Sequence, residues 1–128
     1  MSKQQNSGPK KTGIAHFFAA ATYSAAGFKY MLGETPFRHE IFAGIVVIVL
    51  LLFAGAAPFH VIVTLCLAII TLAIEAINSA IELVVDRTSP EISEYAKNAK
   101  NLGSFAVLCM LCATGIFAAY ALWQALTD

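Results

Sequence analysis

Three apolar runs divide the chain: Ile41 to Ala57, Val61 to Val85 and Leu102 to Leu126. A helix needs about 20 mainly apolar residues to cross the hydrocarbon of a bilayer. The second and third runs reach that length outright, and the first reaches it with its flanks. Pro58 separates the first run from the second and leaves a turn of only a few residues. The pattern predicts an all-α membrane protein with three transmembrane helices, at about 38–57, 60–86 and 101–126, the first two forming a hairpin.

Ahead of the first span the pattern changes twice. Residues 1–12 are polar, with Gly, Pro and Ser, and read as a disordered start. From Ile14 to Met31, the apolar Phe17, Phe18, Ala21, Phe28 and Met31 alternate with Thr22, Tyr23, Ser24 and Lys29. That alternation predicts an amphipathic helix over about 14–31 lying on the membrane surface, or else an ordinary cytoplasmic helix packed on the bundle. Gly33 to Pro36 is a turn, so residues 13–128 form one membrane-embedded domain.

Composition agrees with this reading and charge orients it. The 128 residues are 59% hydrophobic and 12% charged, about half the charged fraction of a soluble domain. All 8 Lys and Arg residues precede the first span or lie between the second and third. Basic residues in short loops stay cytoplasmic. The N-terminus and the 86–101 loop therefore face the cytoplasm, and the 55–60 turn and the C-terminus face outward. Glu34, Glu40, Asp86, Glu91 and Glu94 share the cytoplasmic side. That face is mixed rather than basic, which argues against nucleic acid as a partner.

Cysteine and histidine add little. Cys66, Cys109 and Cys112 all fall inside spans. The Cys109-x-x-Cys112 spacing has no basic neighbours to activate a thiol, so these residues read as small apolar packing. His60 sits at the outer turn as an interfacial residue, and none of His16, His39 and His60 has ligand spacing to another.

The informative segment is Glu75-Ala-Ile-Asn-Ser-Ala-Ile-Glu82, followed by Leu-Val-Val-Asp86. An acid at the centre of a spanning helix costs about 2.5–3.5 kcal/mol, so it is expected to face a partner, a metal or a wet cavity. At ~100° per residue, with Glu75 at zero, Asn78 falls near about −60°, Glu82 near about −20°, Asp86 near about +20° and Ser79 near about +40°. One face thus carries a ladder of oxygen ligands about 16 Å long, from within the bilayer to the cytoplasmic loop. Asn and Ser also serve as interhelical glue, but glue does not require ionisable groups.

An oxygen-rich, thiol-free ladder suits Mg²⁺, which binds one or two carboxylates together with substrate phosphates. Arg87 and Lys100 on the adjoining loop can neutralise phosphate oxygens, and a partly desolvated carboxylate can accept a proton from a hydroxyl. Phosphoryl transfer from a nucleotide to a lipid hydroxyl fits these parts. So does ion or proton translocation, or a non-enzymatic membrane subunit. The phosphate-binding and kinase motifs of soluble enzymes are absent from the sequence.

The E-x-x-N-S-x-x-E-x-x-x-D-R pattern of Glu75 to Arg87, with Ala99-Lys-Asn-Leu-Gly-Ser104 downstream, resembles the signature of the prokaryotic diacylglycerol kinase family. Glu34-Thr-Pro-Phe-Arg-His-Glu40 resembles that family's first-span entrance in its Gram-negative form, and Tyr23-Ser24 with Gly27 fits its surface helix. The resemblance covers about residues 13–126. It implies a homotrimeric helical bundle in the bacterial inner membrane, with sites shared between neighbouring chains, that phosphorylates diacylglycerol to phosphatidic acid with ATP and Mg²⁺. It further implies Glu75 as catalytic base and Glu34 and Glu82 as the carboxylates that hold Mg²⁺. ATP would be contacted by His16, Tyr23, Glu34, Glu82, Glu91, Ile92, Ser93, Lys100 and Asn101. The lipid substrate would meet Arg38, Glu40, Glu75, Asn78 and Ser104. The undecaprenol kinase branch, mainly Gram-positive, has a similar site. Only the Phe37-Arg38-His39-Glu40 entrance and the long third span argue against that alternative.

Two positions depart from the family pattern. Asn101 stands where the family commonly has Asp, which removes one acid near the phosphates. His16 stands where the family has a nucleotide-contacting Arg. An imidazole supplies phosphate charge only when protonated. Nucleotide affinity is therefore expected to weaken from about pH 6 to about pH 8 in the wild type and to weaken less in a His16→Arg variant. Equal affinities of the two proteins across that range contradict this role for His16.

Overall fold

The computed structural model describes residues 8–9, 12–89, 91 and 93–128. Most of the polar start, Lys10, Lys11 and the predicted nucleotide contact Ile92 lie outside the described residues. Four helices follow in order: α1 (Gly13–Met31), α2 (Thr35–Phe53), α3 (Pro58–Thr88) and α4 (Glu94–Thr127). They fall into two compact units, one ending at Glu34 and holding α1, the other Thr35–Asp128 and holding α2 to α4.

α1 occupies nearly the expected residues. It follows an extended Thr12 and ends in two tight turns, Gly33 N–H to Tyr30 O at 3.0 Å and Glu34 N–H to Met31 O at 2.9 Å. Its aromatic residues Phe17, Phe18, Tyr23 and Phe28 are all exposed, and Met31 is its one buried residue.

α2, α3 and α4 are each long and apolar enough to cross a membrane. The first span stops at Phe53, short of the end of its apolar run at Ala57, and the backbone shows why. Ala56 N–H bonds to Leu51 O at 2.9 Å and Gly55 N–H to Leu52 O at 3.1 Å. These paired bonds close a helix end through a left-handed residue, here Gly55 at φ 74°. Pro58 then opens α3 as its first helical residue, where its missing N–H would have had no partner anyway.

The next two helices overshoot their apolar runs toward the loop between them. The 31 residues of α3 rise about 46 Å at ~1.5 Å each, well beyond a hydrocarbon core of about 30 Å. α4 begins at Glu94, before its apolar run, because Ser93 caps it: the Ser93 hydroxyl accepts from Ala96 N–H at 3.1 Å. Glu94 in the first turn further suits the positive end of the helix.

The interior of this second unit is unusual in being polar. The buried residues of α3 are Thr64, Thr71, Glu75, Asn78 and Ser79, whereas α4 buries Ala96, Gly103, Val107 and Ala121. The α3 set recurs at spacings of seven, four and three residues and the α4 set at seven, four and fourteen, the seam of two helices packed nearly antiparallel. The small residues of α4 make room for the polar ones of α3. Midway along α3, the Thr71 and Thr114 hydroxyls lie 2.9 Å apart in a hydrogen bond, and Leu67 O is within reach of both, at 2.8 Å from Thr71 and 3.4 Å from Thr114. The large apolar residues point outward; Ile62, Ile69, Ile77, Phe105, Leu108 and Ile116 are all exposed, as suits a chain dissolved in lipid. Cys66, Cys109 and Cys112 are free and also exposed, so they lie on outer faces rather than in the seam. At the end of the bundle near the Gly55 turn, His60 meets Phe117 and Tyr120 edge-on, with centroids 5.9 and 5.6 Å apart, and Trp123 lies beyond Tyr120. Such a cluster matches the aromatic belt of a membrane interface.

A Cβ at Gly55 would meet no atom within 4 Å, so substitution there tests the backbone alone. Gly55→Ala is expected to lower unfolding free energy in mixed micelles by about 1 kcal/mol, through the left-handed conformation it must hold. Unchanged stability would contradict the turn described.

Candidate functional site

The ladder anticipated on α3 begins buried and ends in the open. Glu75 is 6% exposed and Asn78 and Ser79 are each 8% exposed; Glu82 is half-buried and Asp86 exposed. Asn78 donates through Nδ2 to Glu82 Oε1 at 3.5 Å, and its Oδ1 is buried without a hydrogen-bond partner. α4 presents Gly103 against that amide, and a side chain there would overlap it.

α2 brings a second carboxyl to the same level. Glu40 is half-buried, its Oε2 has no hydrogen-bond partner, and it feels the charge of Glu75 across the α2–α3 contact. His39 and Glu40 stand at one end of a 330 Å³ groove between α2, α3 and α4 that runs to Thr64 and Ala118. Apart from Thr64, Thr71 and Thr114 its walls are apolar. Arg38 is exposed on the first turn of α2 and donates to Thr35 Oγ1 at 3.1 Å.

At the loop end, Asp86, Ser89, Glu91, Ser93, Lys97 and Lys100 line a cavity of about 280 Å³. Lys100 pairs with Asp86, both largely exposed. An exposed pair of this kind contributes at most about 1 kcal/mol, so its energy leaves Lys100 available to a stronger anion. Ser89 and Ser93 hydroxyls lie 3.0 Å apart. Three predicted nucleotide contacts, Glu91, Ser93 and Lys100, thus converge on one polar cavity. Asn101 and Ser104 do not join them; they line a separate depression on α4 with Phe105 and Leu108. His16, Tyr23 and Glu34 belong to the first unit, where the first two are exposed and Glu34 is half-buried.

Lys97 and Thr71 escaped the sequence pattern, whereas Gly103, a small residue expected to permit close helix contact, lies buried where α4 meets Asn78. Lys97 had a signal available: it precedes Lys100 by three residues, one helical turn on the same face. Thr71 and Thr114 had none, because single threonines in apolar helices are common.

Among the described residues no three His, Cys, Asp or Glu side chains gather to enclose a cation. The donors along the inner face of α3 are oxygens of Glu75, Asn78, Ser79 and Glu82. Hard oxygen donors suit Mg²⁺, and a site with few carboxylates suits a Mg²⁺ that shares its coordination with phosphates.

Comparison with known proteins agrees with the resemblance. The family model described as prokaryotic diacylglycerol kinase matches residues 22–122. A diacylglycerol kinase of Sinorhizobium sp is 51% identical over 111 residues, covering 87% of this chain and 81% of that protein. The diacylglycerol kinase of Haemophilus influenzae is 38% identical over 108 residues, 84% of this chain and 92% of the relative. That of Escherichia coli K12 is 31% identical over 114 residues, 88% and 93%. The chain belongs to the prokaryotic diacylglycerol kinase family and is an enzyme, a phosphotransferase acting on an alcohol group.

Proposed function

We propose that this protein transfers the γ-phosphoryl group of ATP to the free hydroxyl of diacylglycerol, at the cytoplasmic face of the bacterial inner membrane, yielding phosphatidic acid and ADP. The observation that carries the reading is the α3 ladder: a buried carboxyl, Glu75, on the helix face that also carries the Asn78–Glu82 bond, with a cavity lined by Asp86, Ser93 and Lys100 where that helix meets the loop. That arrangement lets a lipid alcohol and a water-soluble anion meet on one helix face.

Glu75 is the general base. Its carboxylate takes the proton of the lipid hydroxyl as the oxygen forms its bond to the γ-phosphorus, and the bond to the β,γ-bridging oxygen breaks with ADP as leaving group. Burial favours a carboxylate that accepts a proton. Glu34 and Glu82 would hold Mg²⁺, which neutralises phosphate charge when bound. Lys100, with Glu91 and Ser93 on the same cavity, addresses the nucleotide; Lys97 adds a second cation to that wall. Ile92, Asn101, His16 and Tyr23 are further nucleotide contacts in this reading. Arg38, Glu40 and Ser104 address the lipid. The groove ending at Glu40 has apolar walls suited to a lipid chain and a polar end toward Glu75.

The N-terminal helix α1 lies on the cytoplasmic surface in this account, its exposed aromatic residues meeting lipid. The active form is a homotrimer with sites completed by neighbouring chains. Small residues left exposed on the long helices, Ala73 and Ala80 on α3 and Ala106 on α4, support close approach of a second copy.

The test is a lipid panel. Purified protein in detergent is given radiolabelled ATP with diacylglycerol or undecaprenol, with and without Mg²⁺. Mg²⁺-dependent phosphatidic acid formation is expected. Label on undecaprenol alone would move the protein to the polyprenol branch, and no labelled lipid at all would overturn the kinase reading. Glu75→Gln is expected to lower kcat by about a hundredfold or more, with oligomer size unchanged by cross-linking.

A further inference from the structure

Gly103 lies buried in the α3–α4 seam directly against the Asn78 amide. A Cβ added to it would fall on Asn78 Oδ1, 3.1 Å from Cγ and 3.7 Å from Cβ. The other glycines of the long helices are not so confined. A Cβ at Gly44 would meet only Ala68 Cβ at 3.8 Å, and one at Gly115 would meet nothing within 4 Å. The demand for a bare Cα is therefore specific to position 103, and a single side chain imposes it.

The amide has two possible directions. As placed, its NH₂ faces Glu82 Oε1 and its oxygen lies against Gly103 with no hydrogen-bond partner. The reverse would set an amide oxygen against a carboxylate oxygen, acceptor against acceptor. The bond to Glu82, at 3.5 Å, is at the outer limit of hydrogen-bond length and is too weak to hold the amide unaided. Packing on the glycine side supplies the rest.

We propose that Gly103 is a positioning residue. Its missing side chain lets the Asn78 amide lie in the seam with its NH₂ on one oxygen of Glu82, turning the other oxygen toward the nucleotide-borne cation. The inference rests on the reading of Glu82 as the carboxylate that holds that cation. A larger residue at 103 swings the amide off Glu82 and releases its carboxylate into other rotamers.

The test uses the full chain in mixed micelles and the Mn²⁺ complex of a non-hydrolysable ATP analogue, its binding followed by loss of the free Mn²⁺ EPR signal. Gly103→Ala and Asn78→Ala are each expected to weaken binding by about fivefold or more. The double variant should bind within about twofold of Asn78→Ala, because no amide is left to displace. It should also unfold at the temperature of Asn78→Ala. Asn78→Leu keeps the shape against Gly103 but donates nothing to Glu82, so it should bind as weakly as Asn78→Ala. This arm reads the same link even where Gly103→Ala alone fails to fold. Wild-type binding by Gly103→Ala or Asn78→Leu overturns the proposal. So does an equal loss from Gly103→Ala in both backgrounds, or a double variant that does not fold, since Gly103 would then serve helix approach itself. Wild-type protein that neither binds the complex nor phosphorylates lipid overturns the kinase reading instead.

Discussion

The structure depends on how carboxyl and amide groups are kept inside a bundle dissolved in lipid. Lipid is as apolar as leucine, so nothing drives large apolar side chains inward. Apart from Phe37, Leu51 and Val107, most of them stay on the outer faces, and α3 buries only Thr64, Thr71, Glu75, Asn78 and Ser79. A polar interior closes only where its partner is small, which is the part taken by Ala96, Gly103 and Ala121 on α4. Each buried polar group must then find a partner within the seam or a ligand from outside. The Thr71 and Thr114 hydroxyls satisfy one another and Leu67 O. Farther toward the loop the satisfaction runs out: Glu40 Oε2 and Asn78 Oδ1 are buried with no hydrogen bond.

That gradient divides the bundle by task. The half toward the Gly55 turn is held by the Thr71–Thr114 bond and the ring contacts of His60, Phe117 and Tyr120. The half toward the α3–α4 loop carries Glu40 and Asn78, each with one buried oxygen that lacks a hydrogen bond, and an unmade bond of that kind reduces stability by about 1–3 kcal/mol. Groups left in that condition are ready to bind what the pure fold does not supply. The loop cavity continues the same logic into water, where the solvent-accessible Asp86–Lys100 pair contributes little to stability and can exchange partners.

Much of this was legible in the residues. Length and hydropathy mark three spans, Pro58 marks the start of the second, and a period of 3.6 sets Glu75, Asn78 and Glu82 on one face. Other features depend on geometry that the pattern does not carry. The first span stops at Phe53 because Gly55 adopts a left-handed backbone, although Ala54, Ala56 and Ala57 still read as apolar. Ser93 looked like a nucleotide contact and also proves to be the cap of α4. Asn101 and Ser104 share a motif with Lys100 yet line a different depression, because Asn101 points about 100° away from Lys100 and Ser104 stands one turn, about 6 Å, farther along the helix. Gly103 within the same motif showed its meaning only once Asn78 was seen against it.

The central claim is that the acids of α3 are kept for phosphoryl transfer and weaken the fold that holds them. It is tested most directly by replacing Glu75 and Glu82 together with glutamine and measuring lipid phosphorylation and thermal unfolding on the same preparation. The account predicts loss of phosphorylation with a midpoint equal to or above that of the wild type, since a carboxyl in lipid is costlier than an amide. Phosphorylation at the original rate, or loss of activity accompanied by loss of the fold, would contradict it.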